Sequence, residues 1–188
     1  YRMLNIDYAV ISDAVHYYEQ HGYTYIETPW VTPVDTLMIT CPARGNVFEV
    51  TGMGGLVGSA EQGFLELALQ DKIYPGMKWI SAGPCFRNEP VDETHQKTFF
   101  KVELFFYTRD QESAARAAKD MLETAYGFML LRSPDARPQI VDEGFGWDIN
   151  INGIEVGSYG YRYHEKIGFW AYGTGVAEPR FTQAKRAQ

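Results

Sequence analysis

The stretch FRNEPVDETHQKTFFKVELFF, which runs from Phe86 to Phe106, is the segment on which the interpretation of the chain depends. Its first half places Arg87 and Glu89 two residues apart and continues through an acidic, polar segment to His95. Its second half alternates two kinds of side chain, and residues two apart on a strand project to the same side of the sheet. The stretch therefore predicts two neighbouring strands joined by a polar loop, with charged side chains where the first strand ends.

The returning strand has two dissimilar faces. One is apolar and the other mixes aromatic rings with a charge pair: Phe100, Val102, Leu104 and Phe106 on the first, Phe99, Lys101, Glu103 and Phe105 on the second. An arginine fork such as Arg87 binds phosphate or carboxylate, a nearby glutamate accepts from an amine, and a phenylalanine ring stacks on a flat ring. These side chains could therefore form a ligand-binding site. The alternative is a hairpin with a surface ion pair and a core strand, and the stretch alone does not decide between the two.

The composition excludes several function classes. With 17 basic and 24 acidic residues among 188, the net charge of −7 argues against indiscriminate nucleic-acid binding. The two cysteines form no CxxC pair, and the four histidines show no zinc-binding spacing. No apolar run approaches the roughly 18 residues of a transmembrane helix. We therefore expect one domain over residues 1–188, with no membrane span, in the reducing cytoplasm.

Periodicity along the chain predicts a helix-flanked sheet. An N-terminal helix carries the apolar stripe Leu4, Tyr8, Ile11, Val15 and Tyr18, and a short strand ending at Pro29 and Pro33 follows. A second helix begins at the capping-box residues Ser59 and Gln62, and a long third helix runs from Asp110 to about Leu131. Strands are predicted over 78–86 and in a hairpin that turns at Asn152-Gly153. We predict an α+β domain, an antiparallel β-sheet flanked by helices.

Two carboxylates flank the hairpin turn. Asp148 and Glu155 lie on opposite strands, seven residues apart, and Arg162 follows after seven more. For a two-residue turn without a bulge, Asp148 lies opposite Val156-Gly157 and Glu155 opposite Ile149-Asn150. Paired carboxylates of this kind suit a hard cation such as Mg²⁺ bridging phosphates. The alternative, two solvated strand charges, remains open at this point.

The segment GTGVAEPR, Gly173 to Arg180, is the third candidate. We predict that GFWAYG forms a strand, GTG a turn, and the residues from Ala177 a helix. Such an arrangement directs backbone N–H groups and the positive end of a helix dipole to one point, and Arg180 adds a guanidinium. Taken together, the arginines, the carboxylates and Phe99 suggest a nucleotide with Mg²⁺.

Three segments in order resemble the motifs of class II aminoacyl-tRNA synthetases. The segment GYTYIETP resembles motif 1 (about 3–33), FRNE with the later HxxxF resembles motif 2 (about 80–107), and GTGVAEPR resembles motif 3 (about 169–187), with Ala177 where a third glycine usually stands. The segment DININGIEVGSYGYRYH is similar to the aspartyl-type enzymes of the Asp/Asn/Lys subgroup. The resemblance implies the class II catalytic-domain fold, a homodimer through the N-terminal helix, and no anticodon-binding domain within this length.

The resemblance also implies a role for individual residues at the nucleotide. Arg87 and Arg180 would be the catalytic cations, on the α-phosphate and on one face of adenine respectively. ATP would further contact Glu89, His95, Phe99 and Ser158, with Phe99 stacked on adenine and His95 near the γ-phosphate. Asp148 and Glu155 would hold Mg²⁺.

At the amino acid, the resemblance assigns Ser59, Glu61 and Arg162. Glu61 would bind the substrate α-ammonium, and Arg162 would bind a side-chain carboxylate or amide. The aspartyl pattern has a lysine, which helps to bind the substrate carboxylate, where this chain has Phe64. The resemblance therefore leaves the choice between aspartate and asparagine open. The implied function is ATP-dependent formation of an aminoacyl-adenylate from aspartate or asparagine with transfer to tRNA. Alternatives are a tRNA-independent asparagine synthetase that uses ammonia and a non-catalytic regulatory paralogue.

Overall fold

The computed structural model describes residues 5–41, 43–91 and 96–187 of the chain. Its helices are α1 (Tyr8–Gln20), α2 (Val34–Leu37), α3 (Ala60–Leu69), α4 (Gln111–Arg132) and α5 (Arg180–Arg186). Its strands are β1 (Thr24–Tyr25), β2 (Val31–Thr32), β3 (Glu49–Val50), β4 (Gly54–Leu56), β5 (Lys78–Phe86), β6 (Thr98–Thr108), β7 (Gln139–Asp142), β8 (Trp147–Ile151), β9 (Ile154–His164) and β10 (Gly168–Glu178).

A seven-stranded sheet organises the domain in the order β1-β5-β6-β10-β9-β8-β7. Its pairs are antiparallel except for β1 with β5, which is parallel. A small second sheet has the order β2-β4-β3. The predicted α+β class, an antiparallel sheet flanked by helices, is confirmed. Among the helices in the described part of the chain, none has the length and apolar character needed to cross a membrane.

The two faces of β6 separate as the alternation predicts. Val102 and Leu104 are buried in the main core, which helices α1, α4 and α5 cover. Phe105 belongs to a second core beneath α3, on the opposite side of the sheet. Glu103 lies on that opposite side too, beside the N-terminus of α3. The α3 side of the sheet therefore receives the charged residues of the motif.

Helix α1 is held inside the domain by the stripe that predicted it. Ile11 and Tyr18 are buried in the main core, and the Tyr18 hydroxyl donates to the Gly175 carbonyl oxygen at 2.8 Å. Asp7 caps the helix by accepting from two backbone N–H groups of its first turn. Tyr8, which belongs to the same stripe, is 64% exposed, and Leu4 lies outside the described residues, so only part of the stripe is shown to be buried in the domain.

The turn predicted at GTG in the third candidate segment is wrong. Strand β10 continues through it to Glu178, with a register irregularity between Thr174 and Val176, and α5 begins only at Arg180. The glycines serve close packing instead of a turn. A Cβ on Gly173 would lie 2.7 Å from the Tyr159 ring, and a Cβ on Gly175 would lie 2.8 Å from the Tyr18 ring.

The β8–β9 hairpin forms at Asn152-Gly153, where both residues have positive φ as a two-residue turn of this type requires. Glu155 lies opposite Asn150 as expected. Asp148 lies opposite Ser158, one residue beyond the Val156-Gly157 prediction, because β9 contains an extra residue between the two pairs. Because of this bulge, Glu155 and Ser158 lie on the same face of the sheet.

Other elements agree with the sequence except in detail. Ser59 caps α3 by accepting from the Glu61 N–H at 3.2 Å, whereas the Gln62 side chain accepts from the Gly58 N–H at 2.7 Å instead of completing a capping box. The strand expected before Pro33 is divided into two short strands in separate sheets, β1 and β2. Strand β7 was not predicted.

Candidate active site

Two adjoining cavities lie on the α3 side of the sheet. They have volumes of about 240 and 280 Å³. We call them the nucleotide cavity and the amino-acid cavity after the ligands that the sequence predicts for their residues. The residues that line both are Arg87, Glu89, Lys101, Ser158 and Thr174. Strands β5, β6, β9 and β10 thus contribute to one continuous depression of mixed charge.

The nucleotide cavity brings together most of the residues predicted to bind ATP. Besides Arg87, Glu89 and Ser158, it is lined by Phe99 and Arg180. The Arg87 guanidinium carbon lies 5.2 Å from the centre of the Phe99 ring, and Arg87 Nε donates to the Gly58 carbonyl oxygen at 3.1 Å. Those two contacts orient Arg87 along the cavity. His95, predicted at the γ-phosphate end, lies outside the described residues.

Of the two carboxylates predicted to hold a cation, Glu155 lines this cavity, whereas Asp148 lines neither cavity but lies opposite Ser158, which does. Glu155 and Ser158 are three residues apart and would face opposite sides of a regular strand, but the bulge brings both to the cavity. Burial, and next the charge of Glu155, raise the pKa of Asp148. Arg180 lies 3.7 Å from Glu155.

The donor set of these residues fits a hard cation. Oxygen ligands from Asp148, Glu155 and the Ser158 hydroxyl are those that Mg²⁺ accepts, with water or phosphate completing its shell. A cation there would also relieve the repulsion that raises the pKa of Asp148. Within residues 5–41, 43–91 and 96–187, however, no group of three or more His, Cys, Asp or Glu side chains is arranged so that it could hold a metal ion.

The amino-acid cavity contains Ser59, Glu61 and Arg162, as predicted, but two of them are paired with each other. Arg162 Nη1 donates to both carboxylate oxygens of Glu61 at 2.9 Å. Trp170 Nε1 donates to the same carboxylate at 2.7 Å, and the Arg162 guanidinium lies 4.2 Å from the centre of the Tyr172 ring. Burial raises the pKa of Glu61, although the Arg162 charge opposes the shift. The groups predicted to bind the substrate ammonium and the substrate side chain therefore form one ion pair.

A second ion pair lies on β6, between the two cavities. Lys101 Nζ is 2.6 Å from Glu103 Oε1, and both side chains are largely buried. Glu103 also accepts from the Ser59 hydroxyl at 2.6 Å and from the Ala60 N–H, so that it caps α3 from the sheet. Burial opposes ionisation of Glu103, but Lys101 and these donors hold its pKa below its ordinary value. This carboxylate fixes the helix end that carries Glu61.

Phe64, the residue in the expected lysine position, does not line either cavity. It is fully buried and stacks on Phe105, with ring centres 4.8 Å apart and planes 7° from parallel. It is a core residue beneath α3. The prediction that Phe64 lies in the substrate side-chain pocket is therefore wrong, and Phe64 packs in the core behind that cavity.

Three residues of the site had no role in the sequence prediction. Lys101 was placed on the mixed face of β6, and Trp170 and Tyr172 were placed only in a strand. A signal did exist for them, since Lys101 stands two residues after Phe99, and Trp170 and Tyr172 alternate along β10 toward Thr174. Which of two alternating faces meets the cavity becomes known only once the strand order is known.

The sequence matches a known family model. Residues 1–131 match the model described as tRNA synthetases class II (D, K and N). A lysine–tRNA ligase from Saccharolobus solfataricus is 27% identical over 124 residues, and one from Sulfolobus acidocaldarius is 29% identical over 123 residues. Each match covers 65% of this chain and 24% of the relative. The match therefore spans about a quarter of the length of these relatives.

Solved structures of the same fold extend the likeness to nearly the whole chain. A pyrrolysyl-tRNA synthetase from Desulfitobacterium hafniense aligns with a TM-score of 0.72 at 18% identity, covering 93% of this chain and 67% of that one. The seryl-tRNA synthetase from Pyrococcus horikoshii, complexed with ATP, aligns with a TM-score of 0.71 at 19% identity, covering 95% and 49%. At these identities the likeness concerns the fold alone.

Proposed function

Since the chain belongs to the class II tRNA synthetases (D, K and N), we propose that it uses ATP to activate an amino acid as its adenylate. We further propose aspartate or asparagine as the amino acid. The observation that carries this proposal is that two predicted sets of residues line adjoining cavities. Arg87, Phe99 and Arg180 line one, and Glu61 and Arg162 line the other. A nucleotide in the first would present its α-phosphate to an amino acid in the second.

The chemistry needs placement and positive charge but no nucleophilic side chain. The α-carboxylate of the amino acid attacks the α-phosphorus, and pyrophosphate leaves as the new phosphorus–oxygen bond forms. Charge builds on the phosphoryl oxygens during this step, and a preorganised donor such as Arg87 stabilises it without having to reorganise. Phe99 would orient adenine by stacking, and Arg180 would contact its other face.

Mg²⁺ held by Asp148 and Glu155 would neutralise charge on the phosphates when bound. Asp148 and Glu155 would supply the oxygen ligands from one face of β8 and β9, and the bulge at Val156 brings Ser158 to the same face. Ser158 would add its hydroxyl at the phosphate from the same face. Arg180, 3.7 Å from Glu155, stands where its charge can act on both the carboxylate and a phosphate.

Arg162 supports a four-carbon substrate that ends in a carboxylate or an amide. Its Nη1 is engaged by Glu61, but 40% of its side chain is exposed, so the outer edge of the guanidinium remains accessible from the cavity. A planar acceptor suits that edge. Lysine is the competing substrate because both curated relatives are lysine–tRNA ligases. A lysine ammonium would instead need a carboxylate acceptor such as Glu89, which lines this cavity and accepts from the Asn46 side chain at 3.2 Å.

The decisive experiment is ATP–pyrophosphate exchange with each of the twenty amino acids in turn. Exchange that depends on aspartate or asparagine supports the proposal, and exchange that depends on lysine alone replaces the substrate while preserving the reaction. No exchange with any amino acid, from a protein that binds ATP and melts cooperatively, would favour the non-catalytic alternative.

The acceptor is tested after the amino acid is known. We propose transfer to tRNA, and the tRNA-independent alternative is transfer to ammonia; incubation with each acceptor separates the two by product. We also propose that residues 1–188 act as one catalytic unit and as a homodimer in the cytoplasm. Light scattering at high micromolar concentration measures the dimer directly, and a monomer there would contradict it.

A further inference from the structure

Lys101 occupies the junction between the two cavities. Among the residues that the structure describes, it and Arg87 are the basic side chains that line both. Lys101 projects from β6, two residues along the strand from Phe99, and only 12% of its side chain is exposed. A buried ammonium at this place faces the point where the contents of the two cavities would meet.

We propose that Lys101 is a further catalytic residue, whose ammonium contacts the α-phosphate and the attacking α-carboxylate during adenylate formation. This inference rests on the proposed function. During the step, one carboxylate oxygen forms a bond to phosphorus and the bond from phosphorus to the pyrophosphate oxygen breaks. No proton is transferred, so the ammonium acts as a donor and a charge and remains protonated throughout.

Two cations on different strands would then bracket the reacting atoms. Arg87 directly follows β5, and Lys101 is the fourth residue of β6, the strand that pairs with β5. The attacking carboxylate and the α-phosphate are both anionic, and their approach is repulsive unless positive charge stands between them. A compact ammonium can contact one oxygen of each group, whereas the planar fork of Arg87 suits two oxygens of one group. The two side chains therefore have complementary tasks.

Glu103 is the positioning residue for Lys101. Its Oε1 accepts from Lys101 at 2.6 Å and from Ser59 at 2.6 Å, and its other oxygen accepts from the Ala60 N–H. Because these contacts anchor Glu103 to α3, the Lys101 ammonium is held at one place. It would therefore lose little conformational freedom when the substrates bind.

The structural alternative is that Lys101 only neutralises Glu103. The two roles separate when both charges are removed together. If Lys101 only neutralises Glu103, a double variant that lacks both charges has no unpaired carboxylate left in the site, and it should recover activity. If Lys101 serves the phosphate, the double variant folds normally and stays slow.

The test compares ATP–pyrophosphate exchange in the wild-type chain, Lys101→Met, Lys101→Arg and Lys101→Met/Glu103→Gln. The matched control is Lys78→Met, since Lys78 is another strand lysine, on β5, bound to Asp120 at 2.5 Å and outside the lining of both cavities. We expect Lys101→Met to lower kcat on the order of 10²-fold, with KM for ATP changed less than about threefold. Lys101→Arg should recover at least a tenth of the rate, and Lys78→Met should leave it unchanged.

The melting temperature of each variant shows whether it folds. If Lys101→Met alone does not fold, the double variant still provides the test. A folded double variant that stays slow supports the proposal. A double variant with the exchange rate of the wild type, or a folded Lys101→Met with that rate, overturns it while leaving the proposed function intact. If the wild-type chain catalyses no exchange with any amino acid, the proposed function fails and the inference about Lys101 fails with it.

Discussion

The two ends of the site differ in how closely their charges are matched. In the amino-acid cavity, Glu61 and Arg162 form a two-oxygen contact at 2.9 Å, buried on the Glu61 side. In the nucleotide cavity, Arg180 Nη1 and Glu155 Oε1 lie 3.7 Å apart, a longer separation than in the Glu61–Arg162 pair. A tight pair must be loosened or shared when a charged ligand arrives, whereas separated charges can accept a ligand between them.

This difference indicates what each end is prepared to bind. On the proposed function, the nucleotide end would offer cations and a carboxylate pair to a polyanion and its metal ion. The amino-acid end presents an ion pair whose net charge is zero. On the proposed function, an amino acid would bring its own ammonium to Glu61 and its own acceptor to Arg162. A ligand with only one of these groups would leave one partner unmatched.

The largest effect is expected at the nucleotide end. Arg87→Ala should lower ATP–pyrophosphate exchange by about 10²–10³-fold, because it removes a donor from the place where charge develops on the α-phosphate. The melting temperature should change little. Arg116→Ala is the matched control, since Arg116 makes exposed contacts within α4, an ion pair with Glu112 and a hydrogen bond to Ser113. A folded Arg87→Ala with nearly normal exchange would mean that the phosphate lies elsewhere.

A smaller and more selective effect is expected at the amino-acid end. Arg162→Leu should raise KM for the amino acid about 10- to 100-fold and alter KM for ATP less than about threefold. Glu61 would also lose its partner, so the variant should be less stable. Combining it with Glu61→Gln should restore part of the melting temperature but not the amino-acid KM. Weaker ATP binding with unchanged amino-acid discrimination would instead place Arg162 at the nucleotide.

The smallest effect concerns Glu178, which lines the nucleotide cavity where β10 ends. It is fully buried, one of its oxygens accepts from Thr182 at 2.8 Å, and its other oxygen has no hydrogen-bond partner within the described residues. Burial raises its pKa to about 7, from an ordinary value near 4.5. The folded state therefore holds the proton more tightly, and stability is lost as the pH rises from about 4.5 through 7.

Glu178→Gln removes this loss and keeps an acceptor for Thr182. The variant should be more stable than the wild type at pH 8, by at most about 3 kcal/mol, and the difference should disappear near pH 4.5. Urea unfolding at several pH values measures it, with Glu165→Gln, at an exposed position between β9 and β10, as the control. A stability difference that did not vary with pH would contradict the prediction.

The sequence predicted the motif strands and their residues well because alternation and motif order carry that information. The bounds of β5 agree with the prediction, the two faces of β6 separate as expected, and Asn152-Gly153 forms the hairpin turn. Local rules determine these features: a two-residue turn fixes pairing, and a strand with one apolar face can bury only that face.

The features that escaped prediction depend on contacts between distant segments. The bulge in β9 shifted the partner of Asp148, and close packing against Tyr159 explains Gly173 within a continuous strand. The pairing of Glu61 with Arg162 joins residues 101 positions apart. Phe64 occupied a motif position and yet packs in the core. None of these features follows from the spacing of residues along the sequence, because each depends on the strand order and on the position of α3 against the sheet.

A crystal structure of the chain soaked with ATP and Mg²⁺ tests the central claim most directly, since that claim concerns which end of the site receives the nucleotide. We predict adenine against the Phe99 ring, the α-phosphate within hydrogen-bond distance of Arg87, and the Glu61–Arg162 pair intact. Adenine in the amino-acid cavity, with that pair broken, would contradict the account.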